Sequence, residues 1–171
     1  QWMSAAAQLE ALQSLAAYAY ENPDYTFPEF CDAEFGIEAV DAAHPLIDNS
    51  EAIVNSVRLT PERPLLLISG SNMSGKSTLM RTIGINVVLA LAGCPVRASR
   101  FALSPMKMGA SIRTVDSLEE GSSRFYAEIV RLGKIMEQIR SGEPTLFLLD
   151  ELLHGTNSHD RQVGARAIIE R

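Results

Sequence analysis

Cysteine is scarce: Cys31 and Cys94 are the only two in 171 residues, far apart and in no metal-binding or redox spacing. That excludes a disulfide scaffold and makes a reducing, cytosolic setting the expectation. Long apolar runs are missing too. The most apolar stretch, Val87 to Ala92, is far shorter than the roughly 20 residues that span a bilayer, so no membrane partner is expected. No basic region opens the chain as a signal peptide would. An excess of positive charge is also lacking: net charge is −6 and the pI is near 5.1. This argues against a free-standing module that clamps nucleic acid by electrostatics, and leaves room for DNA contacts made outside these residues. No internal repeat or low-complexity tract is found.

What is present is ordinary globular material, 46% hydrophobic and 21% charged, enough to build a packed core. The chain begins at Gln1 and stops at Arg171 within a helical pattern, as expected of a fragment. Leu9, Leu12, Leu15 or Ala16, and Ala19 recur at helical spacing in an Ala-rich stretch, which Asn22-Pro23-Asp24 ends. An irregular segment with Pro28, Gly36 and Pro45 follows, in which His44-Pro45 reads as a turn. Ala52 to Leu59 alternates loosely, as a strand does.

Pro64 then leads into Leu65-Leu66-Leu67-Ile68, an apolar run of the kind found in a strand buried on both faces. Gly70 to Gly75 reads as a loop and Lys76 to Leu91 as a long, largely buried helix. Phe101 to Ile112 is expected to form one or two strands broken at Pro105 and Gly109. Phe125, Ile129, Leu132, Ile135 or Met136, and Ile139 mark an amphipathic helix, which Ser141 to Pro144 ends. Thr145 to Leu149 reads as a second fully buried strand, and a further helix starts near Asp160. Alternating strands and helices imply an α/β fold with a mostly parallel sheet flanked by helices, preceded by a short helical segment.

The chemistry-bearing residues fall in three places. Gly70-Ser71-Asn72-Met73-Ser74-Gly75-Lys76-Ser77, followed by Thr78, fits the phosphate-binding P-loop pattern. Terminal glycines let the backbone curl so that successive N–H groups point inward, and the following helix adds its positive end. Lys76 would reach the β- and γ-phosphates of a nucleotide, and the Ser77 hydroxyl would ligate Mg²⁺. Further on, Leu146 to Leu149 delivers Asp150-Glu151 at the end of a strand, where ligands sit in open α/β sheets. Asp150 would hold the Mg²⁺ shell. Glu151 would orient or deprotonate an attacking water, making the reaction hydrolysis.

Gly121-Ser122-Ser123 precedes the third helix. Ser122 or Ser123 reads either as an ordinary cap or as part of an anion site serving another subunit. His154 and His159 lie in a polar loop after the second acid; without an H-E-x-x-H or comparable spacing they read as polar surface, not a metal hydrolase. No G-x-S-x-G frame surrounds Ser74, so a serine-hydrolase elbow is not supported.

Gly70 to Arg81 (GSNMSGKSTLMR), Gly121 to Ile129 (GSSRFYAEI) and Asp150 to Asp160 (DELLHGTNSHD), in that order, resemble the ATPase domain of the MutS DNA mismatch-repair proteins. The resemblance implies a P-loop NTPase fold of the ABC-type ATPase superfamily, in which two subunits form composite sites for ATP or ADP with Mg²⁺. It covers about Asp41 to Arg171 as the ATPase domain, truncated on its C-terminal side. Residues 1–40 would be the end of the helical lever region and a linker, and His44-Pro45 matches the family's His-Pro at the start of the domain. It also implies a homo- or heterodimer, contact with mismatched or branched DNA mostly through other regions, and a place in a bacterial cytosol or at the nucleoid.

Carried over by position, Asn72, Gly75, Lys76, Ser77 and Thr78 would surround phosphates and Mg²⁺. Asp150 would be the metal-shell acid and Glu151, with Lys76, catalytic. Ser122 or Ser123 would match the signature serine that reaches the partner's γ-phosphate, and Gly155 to Ser158 would lie in a loop running between subunits. Departures are visible. The family's adenine-stacking aromatic aligns with Ala52, its Pro before Asn72 is Ser71, and its Gly-Arg-Gly-Thr-Ser stretch reads Leu153-His154-Gly155-Thr156-Asn157. These mark a divergent branch. The alternatives are a MutS paralogue acting in recombination without mismatch reading, an SMC-like or transporter ATPase, and a nucleotide switch that does not hydrolyse.

Overall fold

A computed structural model describes residues 2–31, 36–71, 73–112, 121–140 and 142–151, with positions 157, 159, 162, 163 and 166 beyond them. Contacts divide the chain into two compact units, Gln1–Pro105 and Met106–Arg171. The chain is mixed α/β, with three helices and two small sheets among the described residues.

The first unit opens with α1 (Trp2–Glu21), none of whose residues is buried. It stops where expected: the Asn22 side chain donates to the Tyr18 carbonyl at 2.8 Å, satisfying a C-terminal acceptor just before Pro23 removes the next donor. The chain then joins a sheet of order β1-β4-β2-β3, formed by β1 (Glu29–Phe30), β2 (Ile37–Ala42), β3 (Asn55–Leu59) and β4 (Arg100–Leu103). Pairing is antiparallel except between β1 and β4. Thr26 pins the approach to β1, exchanging backbone hydrogen bonds with Val96 at 3.0 and 2.8 Å and donating its hydroxyl to the Ala98 carbonyl.

Against this sheet packs α2 (Lys76–Leu91), whose buried residues are Met80, Thr82, Ile83, Gly84, Asn86, Val87 and Ala90. These follow helical spacing with few gaps, so one broad face is covered while Val88 and Leu91 stay part-exposed. The core of the unit is Ile37, Val87, Val96, Phe101 and Leu103, each 2% exposed or less.

Several expectations are corrected. Leu65 to Ile68 is not a buried strand: it lies in no strand, and Leu65, Leu66 and Leu67 are 63%, 48% and 83% exposed. A strand covered on both faces needs a pairing partner on its edges, and no described strand of this unit pairs with it. β2, which lies within the segment expected to be irregular, owes its place to alternate burial of Ile37 and Ala39. It bulges between Ala39 and Ala42, with Asp41 at φ 51.

The second unit is a strand-helix-strand arrangement: β5 (Lys107–Ser111), α3 (Gly121–Arg140) and β6 (Thr145–Leu149), with β5 and β6 parallel and in register from Lys107–Thr145 to Ser111–Leu149. Parallel neighbours require a crossover, and α3 lies within it. Pro105 separates β4 from β5 as expected, but Gly109 sits inside β5 rather than breaking it. A side chain at 109 would place its Cβ 2.9 Å from Ile135 Cγ1 and 3.3 Å from Phe147 Cδ1, so glycine lets α3 approach the sheet. β6 alternates, with Leu146 and Leu148 buried, rather than being buried on both faces. Thr145, Phe147 and Leu149, which alternate with them, are half-buried.

Candidate functional site

In the first unit, the described residues from Gly70 to Gly75 form a loop that turns directly into α2, whose first residues are Lys76, Ser77 and Thr78. Met73 and Gly75 adopt left-handed backbone, φ 65 and φ 87, on either side of Ser74. Left-handed residues alternating with right-handed ones curl a chain so that its N–H groups converge. At Gly75 this conformation is cheap; at Met73 it is strained, and that side chain is fully exposed. A Cβ at Gly70 would lie 2.9 Å from the Ser74 Oγ, so a side chain there would have to turn the Ser74 hydroxyl aside.

Gly75 serves as the N-cap of α2 and brings no capping side chain, while its carbonyl accepts the Leu79 N–H at 2.9 Å. Gly75 itself therefore brings no side-chain oxygen to the backbone donors of the first turn. Lys76 folds back over the loop, and its Nζ donates to the Gly70 carbonyl at 2.9 Å and the Ser71 carbonyl at 2.6 Å. The ammonium is thereby centred on the mouth of the loop. Ser77 is half-buried and Thr78 exposed; the Thr78 carbonyl accepts the Thr82 hydroxyl. Asn72 lies outside the described residues.

The acids belong to the second unit. Asp150 follows β6, is 8% exposed, and donates its N–H to the Ser111 carbonyl at 2.9 Å, prolonging the parallel ladder by one residue. Glu151 follows at φ 45 and is exposed, so the chain turns sharply as it leaves the strand. Ser122 and Ser123 fall in the first turn of α3, with their side chains outside the described residues. His154, Gly155, Thr156 and Ser158 also lie outside them. Asn157 and His159 are exposed. Among the described residues no group of three or more His, Cys, Asp or Glu is placed to hold a metal, and no helix is long and apolar enough to cross a membrane.

Two residues escaped the sequence reading. Asn86, fully buried on α2, donates to the Ala43 carbonyl at 3.0 Å and the Thr82 carbonyl at 2.8 Å, and accepts the Arg97 N–H at 2.9 Å. The Arg97 guanidinium spans the 44–49 loop, donating to the His44 carbonyl at 2.7 Å, to the Ile47 carbonyl and to Asn49 Oδ1. The available signal was a lone amide inside the apolar run Ile83 to Leu89; a buried amide is there to be hydrogen-bonded. His44-Pro45 does form a turn, closed by Ile47 N–H to His44 O at 3.1 Å, and His44 Nδ1 accepts the Leu46 N–H. Burial, then the charges of Arg81 and Arg97, holds the His44 imidazole below its usual pKa. Ala52, at the position aligned with the stacking aromatic, is half-buried and bonded through its N–H to Asp48 O at 2.9 Å.

A glycine-bounded loop at a helix N-terminus and a strand-helix-strand unit ending in paired acids are what the two units present. A family profile, MutS domain V, matches residues 66–171. The chain is also 35% identical, over 168 residues and 95% of its length, to the DNA mismatch repair protein MutS of Bacillus subtilis (strain 168), of which it spans 19%. The chain belongs to the MutS family, and residues 66–171 are its domain V.

Proposed function

We propose that this chain is the ATP-binding and ATP-hydrolysing part of a MutS-like protein, related to the ABC-type ATPases, that couples Mg·ATP turnover to conformational change on mismatched DNA. The observation that carries this reading is the loop from Gly70 to Gly75, with the Lys76 ammonium drawn back onto its Gly70 and Ser71 carbonyls and α2 starting directly behind it. That arrangement offers a cation and convergent backbone donors to a polyanion. Family membership supports it, since the loop falls within the domain V match.

In this reading Lys76 binds the β- and γ-phosphates and the loop N–H groups bind their oxygens. Ser77 and Asp150 are each assigned to Mg²⁺ for the hard oxygen donor that the residue carries, and Mg²⁺ keeps several waters and takes few protein ligands. Bound there, the ion would neutralise phosphate charge. Glu151 accepts the proton of the attacking water. Ser122 or Ser123 serves a nucleotide held by the partner subunit, so turnover requires a dimer. DNA is contacted mostly by regions outside these residues.

Calorimetry of Mg·ATP and Mg·ADP binding, wild type beside Lys76→Ala, tests the assignment. Binding is expected in the wild type and its loss in a folded Lys76→Ala protein. Equal affinity in the two would sink the P-loop assignment.

A further inference from the structure

The Asn86–Arg97 network has no counterpart in the motifs discussed so far. Asn86 uses both amide hydrogens and its carbonyl oxygen, so it is fully satisfied while buried. Such networks are rigid, because any displacement strands a polar group away from water. Through Arg97 the rigidity passes to the 44–49 loop, which has three acceptors on one planar guanidinium. Asn86 and Lys76 stand on the same helix, ten residues or about 15 Å apart along its axis. His44 lies in the field of Arg81, also on α2. The 44–49 loop is therefore fastened to the flank of the helix whose first turn carries the candidate phosphate site.

We propose that Arg97 is a positioning residue that makes the 44–49 loop and α2 one mechanical body, so that filling of the 70–75 loop is transmitted to residues 44–51. This rests on the nucleotide-binding reading. An arriving phosphate must exchange for the two carbonyl bonds that Lys76 makes at rest. That exchange acts at the first turn of α2; a packed helix shifts as a unit, and Arg97 carries the shift to the loop.

The test is amide hydrogen exchange of Ile47 and Glu51, whose N–H groups donate to His44 O and Asp48 O, with and without Mg²⁺ and a non-hydrolysable ATP analogue. In the wild type these amides are expected to slow about fivefold on binding, within the usual range of coupling between sites. In Arg97→Met the response disappears although calorimetry still shows the analogue bound. A merely structural arginine predicts otherwise: exchange rises equally in both states and the ratio is kept. Should Arg97→Met not fold, Arg97→Lys carries the test, because one ammonium cannot span three acceptors and the response must shrink. Wild-type binding with unmoved loop amides, or an undiminished response in the variant, overturns the inference and leaves the nucleotide reading standing. No binding by the wild type removes both.

Discussion

The carbonyl oxygen of the Asn86 side chain accepts the backbone N–H of Arg97 at 2.9 Å, joining α2 to the segment that leads into β4. Replacing Asn86 with Leu keeps the volume roughly but strands the Arg97 N–H and the Ala43 carbonyl in a site with no exposure. A destabilisation of about 3 kcal/mol is expected, from two buried orphans at 1–3 kcal/mol each. Thermal melting should show Tm lower by about 6–12 °C for a domain of this size. A Leu variant that melts with the wild type would mean that the amide is dispensable.

Gly109 offers a second site where a small change should be felt. In Gly109→Ala the new methyl meets Ile135 Cγ1 at 2.9 Å and Phe147 Cδ1 at 3.3 Å. Overpacking of this kind costs about 1–3 kcal/mol, readable as a lower urea midpoint. Combining it with Ile135→Val should recover part of the loss, since the nearest opposing group then has room to yield. Additive losses would place the strain elsewhere.

Acidification should weaken the fold through His44. Its folded pKa is depressed, so the unfolded chain binds the proton more readily than the native one. The contribution is present above the unfolded value, about 6.5, and is lost as pH falls through the lower folded value. Imidazole titration by NMR should find His44 with a midpoint below 6.5. His44→Gln should flatten the fall in stability between pH 7.5 and 5. A His44 midpoint above 6.5 would contradict the burial and the two arginine charges.

The two thiols should separate cleanly. Cys31 is exposed and Cys94 buried, with burial pushing the Cys94 thiol up and away from the reactive thiolate. A chromogenic disulfide reagent should titrate one thiol quickly and the second only in denaturant, and Cys31→Ser should abolish the quick phase. Two quick thiols in the native protein would place Cys94 at the surface.

Legibility in the sequence followed the range of the interactions. The span of α2 was readable to the residue, because an apolar run follows a glycine-rich loop and ends before Gly93. The end of α1 at Asn22-Pro23 and the span of β6 were readable for similar local reasons. β1 and β2 were not. Their identity depends on pairing with β4, more than 60 residues further along, and no nearby residue announces it. Leu65 to Ile68 shows the reverse failure: four apolar residues specify a strand only where a neighbour's backbone meets them. At the candidate site, the turn into α2 was legible, since the left-handed Gly75 and the helix that follows it are set by local geometry. Arg97 was not, because its role is defined by carbonyls of residues 44 and 47, which carry no side-chain signature.

The resting posture of Lys76 sets terms on what can enter its loop. Two carbonyls already solvate the ammonium, so an incoming anion competes with an internal pair of ligands rather than with water alone. A simple halide, with one weak contact to give, gains little from that contest. A chain of phosphates, replacing both carbonyls at once and engaging the backbone donors besides, gains at every oxygen. Under the proposed nucleotide-binding reading, the loop would thus filter for acceptor number as much as for charge, and the common anions of a cell would not silt it up.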